Sequence, residues 1–240
     1  MSLFLFDIDS TLLKDGGAAG TAFGLAFEHL FGCPPEHTDK YGKTDPVIAQ
    51  EVAIATIGRQ LSTAETTALH TRYLELLPDQ MCRTQHFHLF DGAESLCEAL
   101  FSDPHNLLGI QTGNLEACAW LKLAKANFDR YFKFGGFGSD ADDRATIIRT
   151  AISRSAGFRT PATDDRTMFV IGDTPFDIIA GNLNNAITIG VATGKNSTGE
   201  LREAGAAAVV ESLRDTNAML SLIKELQTAR MRFPSKGARD

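Results

Sequence analysis

Positive charge is in the minority in this sequence. Its 23 lysines and arginines face 30 aspartates and glutamates, a formal net charge of -7, so no electrostatic footprint for nucleic acid is present. A negative surface still admits an anionic substrate, provided a local basic group or a metal offsets it. Long apolar runs are also missing: none approaches the roughly 18 residues of a membrane-spanning helix, and no membrane partner is expected. The opening residues read as a strand and lack the basic segment, apolar stretch and cleavage site of a secretion signal, so a cytoplasmic protein is expected. Neither G-x-G-x-x-G nor G-x-x-x-x-G-K-[ST] occurs, which removes two common nucleotide-binding loops. Cysteine is sparse. Cys33, Cys82, Cys97 and Cys118 are scattered with no C-x-x-C pair, and reduced, packed thiols are expected rather than two disulfides.

What is there reads as an ordinary folded chain. Of its 240 residues 43% are hydrophobic and 22% charged, enough to bury a core in one large domain or one domain with an insertion. Short, continuous apolar runs recur: "LFLF", then "LLGIQTGN" near 107, "YFKFGGFG" near 131, "TMFVIGD" near 167, "AITIGVATG" near 186 and "AAAVVES" near 206. Runs without polar alternation predict strands buried on both faces, as in a parallel sheet. Helical patterns separate them: Leu115, Ala119, Lys122 and Ala126 share one face, and Ile147, Ile148, Ala151 and Ile152 mark another helix. The expected fold is therefore α/β, a doubly wound parallel sheet. Between Leu13 and about Phe90 only helix-like pattern is found, which predicts a small helical domain over residues 14–88 inserted into a core formed by 1–13 and 89–240. The polar tail "RFPSKGARD" is expected to be frayed.

Two aspartates, Asp7 and Asp9, stand where the first strand would end, and open α/β sheets bind ligands outside the carboxyl ends of their strands. "VIGDTPFD" puts Asp173 and Asp177 at a second strand end, and "GIQTGN" puts Thr112, Gly113 and Asn114 at a third. Taken singly, each has a plainer explanation: a helix N-cap or turn for Asp7 and Asp9, a turn at Thr112, a turn opening a helix at Asp173 and Asp177. Occurring together on apolar stems, they read as one site. Converging carboxylates repel unless a cation joins them. Oxygen donors with no histidine or cysteine nearby suit a hard ion, and Mg²⁺ fits best.

The ordered set D-I-D-S-T, Q-T-G-N and G-D-T-P-F-D resembles the motifs of the haloacid dehalogenase superfamily across essentially the whole core, and the insertion resembles that superfamily's cap. The resemblance implies a Mg²⁺-dependent phosphatase acting on a small phosphorylated metabolite through an aspartyl phosphate. By it Asp7 would be the nucleophile and a metal ligand, and Asp9 the general acid and base, with its main-chain carbonyl also on the metal. Thr112 would hydrogen-bond the transferring phosphoryl group, with the amides of Gly113 and Asn114 alongside. Asp173 would ligate the metal, and Asp177 would ligate it through water or hold the basic residue in place. That basic residue is usually a lysine, often followed by proline. Here "SDADDRATIIR" offers Arg144 at a helix start instead, which supplies charge with different geometry. Lys122, Lys125 and Lys133 are rivals, but the helix after Thr112 is expected to carry Lys122 several turns away. Arg144 is therefore the assigned cation, its plainer reading being an exposed helix arginine.

Within the insertion, Gly42, Lys43, Thr44 and Asp45 of "YGKTDPVIAQE" resemble a cap segment of phosphoglycolate-phosphatase-like relatives that reaches toward the active site. Thr44 or Asp45 would cap a helix with Pro46 in its first turn, and Lys43 is the candidate contact for an anionic substrate. Gly16 and Gly17 read as a hinge that lets the cap close over the site. His86 and His88 read as an exposed linker and Trp120 as a core residue. Three other functions share this frame. A 2-haloacid dehalogenase lacks the second aspartate and needs no metal, which Asp9 opposes. A phosphomutase uses the same motifs, and a regulatory protein can keep the fold without turnover. Monomer and homodimer are equally compatible with the sequence.

Overall fold

The computed structural model describes residues 2–158 and 167–232. The chain opens with β1 (Ser2–Phe6) and leaves it through two short antiparallel strands, β2 (Leu13–Lys14) and, on return, β3 (His88–Leu89). Then come α4 (Ala93–Phe101), β4 (Asn106–Gln111), α5 (Glu116–Lys125), β5 (Gly135–Gly136) and α6 (Arg144–Ser155). The second half adds β6 (Thr167–Gly172), α7 (Pro175–Leu183), β7 (Ile187–Val191), α8 (Thr198–Glu203), β8 (Ala208–Val210) and α9 (Thr216–Arg232). Six strands form one parallel sheet in the order β5-β4-β1-β6-β7-β8. From β1 the chain first builds toward β5 and then crosses back to build toward β8. The order reverses at β1, which places a crevice at its carboxyl end.

The unbroken apolar run of β1 has a simple cause. Successive side chains point to opposite faces, and both faces are covered. Phe4 and Phe6 enter a cluster with Leu96 and Leu100 of α4, Leu123 of α5 and Ile223 of α9. Leu3 and Leu5 enter a second cluster with Ile148 and Ala151 of α6 and Ala180 of α7. The Phe4 ring stacks on Phe169 of the neighbouring strand at 4.9 Å. The aromatic segment near 131 departs from expectation: only Gly135 and Gly136 pair as strand, because Tyr131 and Phe132 instead pack with Phe128 into the first cluster. Trp120 lies at the edge of that cluster against Phe137.

The insertion consists of α1 (Ala18–Phe31), α2 (Asp45–Ile57) and α3 (Thr63–Arg83) above the sheet. Phe23 and Phe27 of α1, Val52 of α2 and the i, i+4 stripe Leu69, Tyr73 and Leu77 of α3 form its apolar cluster. Leu115 and Cys118 from the sheet body join the same cluster, so the helices are seated on the start of α5. The sequence showed no strand between Leu13 and Phe90; β2 and β3 begin and end this stretch, and two-residue strands are too short to show a period. His88 is exposed within β3, in keeping with a linker. All four cysteines are free; Cys97 and Cys118 are buried, while Cys82 is exposed and Cys33 half-buried. Among the described residues no helix is long and apolar enough to cross a membrane. The tail expected to fray lies, beyond Arg232, outside the described residues.

The two glycines expected to form a hinge differ in their constraints. Both have positive φ, 66° at Gly16 and 84° at Gly17. A Cβ on Gly16 would stand 2.6 Å from Thr84 Oγ1 and 2.7 Å from the His86 carbonyl carbon, whereas one on Gly17 would meet nothing. The outgoing and returning chains therefore cross in contact at Gly16. Gly17→Ala is expected to lose only the cost of left-handed backbone, about 1–2 kcal/mol, and Gly16→Ala clearly more. Urea unfolding midpoints compared for the two variants check this, and equal losses would contradict the crossing contact.

Candidate active site

The chain turns sharply after β1. The Leu12 and Leu13 N–H groups both return to the Ile8 carbonyl, and Ser10 takes a positive φ of 66°. This tight loop keeps Asp7, Asp9 and Thr11 at the crevice. Asp7 is buried, and its carboxylate converges with those of Asp173 and Asp177, each offering an oxygen within 4.8 Å of the others. Asp173 follows β6 and is fixed by the Thr11 hydroxyl, which donates to its Oδ1 at 3.2 Å. Thr11, quoted in the sequence motif without a role, thus orients a candidate ligand.

Asp177 both starts a helix and serves the site. It forms a capping box with Thr174, whose N–H and hydroxyl donate to Oδ2 at 3.1 and 2.7 Å. Its other oxygen accepts from Gln111 Nε2 at 3.0 Å and faces Arg144 Nε at 3.4 Å. Arg144, first residue of α6, is half-buried rather than exposed, and its Nη1 lies 3.5 Å from Asp7 Oδ1. Among the described residues that Nη1 has no hydrogen-bond partner. Burial alone would weaken the Arg144 cation, but Asp177 and Asp7 outweigh it.

The electrostatics of the triad are unbalanced. Burial, and then repulsion from Asp177, holds the Asp7 carboxyl well above the usual range despite Arg144. The same two causes push Asp173 up to about 7, against the Thr11 hydrogen bond and the Arg144 charge. Buried, mutually repelling oxygen donors fit a hard divalent cation, which would relieve both effects. The Asp9 carboxylate is outside this triad, so from Asp9 only the main-chain carbonyl remains as a candidate ligand.

Thr112 and Asn114 follow the end of β4. Thr112 Oγ1 accepts from Asn114 N–H at 3.3 Å and Asn114 Nδ2 at 2.7 Å, which leaves its own proton to donate into the crevice. Asn114 Nδ2 also reaches Asp9 Oδ2 at 2.6 Å. Gly113 is required by the cap: a Cβ there would stand 2.6 Å from the Lys43 carbonyl oxygen.

Lys122 corrects the sequence reading. Its Nζ lies 2.7 and 2.8 Å from the two Asp9 oxygens and 2.9 Å from Asn114 Oδ1. Helix side chains lean toward the N-terminus, so a lysine two turns into α5 reaches back to its start. Its place on an otherwise apolar helix face was the available signal. Asp15, also missed, lies 3.6 Å from Lys122 and accepts from the Gly17 and Ala19 N–H groups at the start of α1. Lys125 and Lys133 show no contact with the site.

The cap segment crosses the crevice and is pinned at both ends. Tyr41 donates to Asn196 Oδ1 at 2.6 Å, and Asn196 donates to the Asp173 carbonyl at 3.0 Å. At the other end the Asp45 N–H donates to the Gly113 carbonyl, and Asp45 Oδ2 accepts from Leu115 N–H, both at 2.8 Å. Burial pushes Asp45 up to about 6, opposed by that Leu115 bond. Thr44 is the N-cap of α2, with no side-chain cap bond, and Pro46 is in the first turn. Lys43 lines the crevice, with its ammonium paired to Glu51. The cleft has a volume of about 350 Å³ and is also lined by Lys40 and Lys195.

Solved structures share this architecture. A hydrolase from Pseudomonas syringae superposes with a TM-score of 0.65 at 20% identity, over 93% of this chain and 99% of its own. A predicted phosphatase from Clostridium acetobutylicum gives 0.66 at 22% identity, over 92% and 98%. A predicted phosphoglycolate phosphatase from Haemophilus somnus 129pt gives 0.68 at 15%, over 92% and 98%. No curated protein matches the chain. The profile of the haloacid dehalogenase-like hydrolases matches residues 4–191, and with its sheet order and its acidic motifs at the strand ends the chain belongs to that family.

Proposed function

We propose that the chain is a Mg²⁺-dependent phosphatase of small phosphorylated metabolites, working through an aspartyl phosphate on Asp7. One observation carries this reading. Three buried carboxylates meet at the sheet's crevice beside the Arg144 guanidinium, whose buried Nη1 has no hydrogen-bond partner among the described residues. A buried donor of this kind is costly unless a ligand accepts from it, and a phosphoryl oxygen is a fitting acceptor.

The Asp7 and Asp173 carboxylates and the Asp9 carbonyl would hold the metal. Bound Mg²⁺ would screen the carboxylates and polarise the phosphoryl group. Asp7 attacks phosphorus, the bond to the leaving oxygen breaks, and Asp9 delivers a proton to that oxygen. Asp9 then takes a proton from water as the water oxygen attacks the aspartyl phosphate, which frees inorganic phosphate and restores Asp7. Arg144, oriented by Asp177, and the Thr112 hydroxyl stabilise charge on the transferring group. The cap segment excludes bulk water while Asp7 carries phosphate. Lys40, Lys43 and Lys195 around the cleft favour a substrate with a second anionic group.

Phosphate release from a panel of small phosphomonoesters tests this. Wild-type release is expected to need Mg²⁺, to stop with chelator and to be abolished in Asp7→Asn. Release that persists in Asp7→Asn would refute the covalent route. Arg144→Ala is expected to lower kcat about 10²–10³-fold, as for loss of one charge-stabilising donor, with Arg144→Lys recovering part of that.

The raised carboxyls also predict a pH effect on stability. The folded chain holds the Asp173 proton up to about pH 7, whereas an unfolded chain releases it near the ordinary aspartate value of about 4. Stability is therefore lost as pH rises through that window. In chelator, the thermal midpoint of the wild type is expected to fall relative to Asp173→Asn between about pH 4 and about pH 7. Mg²⁺ should restore it in the wild type and not in the variant. Parallel pH curves for the two proteins would reject the repulsion.

A further inference from the structure

Lys122 is an anomaly among the lysines. Its side chain is 3% exposed, on a helix face otherwise buried through Cys118, Ala119 and Leu123. Burial alone would lower its pKa, but Asp9, Cys118 and Asp15 outweigh that and hold it above the ordinary lysine value. The ammonium spans both oxygens of Asp9, and Asn114 binds it on one side while donating to Asp9 Oδ2 on the other. Asp9 keeps 41% of its side chain exposed toward the cleft, so this hold fixes its plane without covering it. On the cap side, Asp15 faces the same ammonium and accepts two N–H bonds from the hinge and first turn of α1.

We propose that Lys122 is a positioning residue that aims the Asp9 carboxyl at the leaving oxygen, with Asp15 tying this hold to the cap hinge. The inference rests on the reading of Asp9 as the general acid. As the phosphorus–oxygen bond breaks, the proton passes from Asp9 to the departing oxygen, and the transfer depends on where the Asp9 carboxyl points. An alkyl alcohol leaves poorly without that proton, whereas a nitrophenol leaves well without it.

The test compares kcat/KM, which stops at departure of the leaving group, for p-nitrophenyl phosphate and the best aliphatic ester of the panel. In Lys122→Met the aliphatic ester is expected to lose about 10–10²-fold more than the aryl ester, a part of the 10²–10⁴-fold that general acid help supplies. The ratio is read within one preparation, so it is independent of how much variant folds. If Lys122→Met yields no folded protein, Lys122→Gln carries the same comparison. Asp9→Asn is expected to show the shift already, and adding Lys122→Met should not enlarge it. Asp15→Asn should show a smaller shift of the same sign. Equal losses for both esters, or additive losses in the double variant, would overturn the positioning role while Mg²⁺- and Asp7-dependent turnover stood. Absence of such turnover in the wild type would overturn the phosphatase reading itself, and the inference with it.

Discussion

The carboxyl end of the sheet depends on one arrangement of charge. Asp7, Asp173 and Asp177 converge in a buried crevice, and Arg144 enters it from the start of α6. Carboxylates in low dielectric repel strongly, and one guanidinium offsets only part of that. The surrounding loops answer the imbalance. Thr11 donates to Asp173, while Gln111 and Thr174 donate to Asp177, so each flanking aspartate is fixed by neutral donors. Asp7 faces the Arg144 Nη1 at 3.5 Å, and its carboxyl is held well above the usual range. Under the proposed function, a cation and an anionic substrate together would complete the site.

A second ion-pair system lies beside the first and has a different character. Lys122 is enclosed by Asp9, Asp15 and Asn114, so its charge is matched without a ligand. The two cations differ in geometry: among the described residues Arg144 keeps an unpartnered Nη1 toward Asp7, whereas the Lys122 ammonium is taken up by both Asp9 oxygens and Asn114. That Asp15 also binds the start of α1 places the cap's hinge two contacts from Asp9.

The cap is joined to the core by contacts of two kinds. Leu115 and Cys118 contribute to its apolar cluster, a broad seat that resists sliding. The segment from Tyr41 to Asp45 is held instead by a few polar bonds to Asn196, Gly113 and Leu115. Such bonds contribute little net stability because water replaces them. Gly16 and Gly17, both at positive φ, stand where the chain enters the cap helices, Gly16 in contact with the returning chain at Thr84 and His86.

Much of this was legible in the chain itself. Continuous apolar runs at Leu3–Phe6, near 107, near 167 and near 186 announced strands buried on both faces, and polar residues at their ends announced a crevice, because a parallel sheet has no other place for them. Arg144 was named as the candidate cation through the family resemblance, which calls for a basic residue ahead of the strand bearing Asp173, and the structure places it beside Asp7 and Asp177. What escaped were features set by distance through space. β2 and β3 are too short to show a period, and Tyr131 and Phe132 gave up strand pairing for ring packing. Lys122 escaped because reach was judged along the helix axis, whereas its side chain runs back toward the N-terminus. Sequence alone determined the fold class and the acidic motifs, since periodicity and local turn chemistry are local properties. Tertiary structure alone decided which cation meets which carboxylate, because charges separated by more than a hundred residues, such as Asp9 and Lys122, are paired only once the sheet has brought their strand ends together.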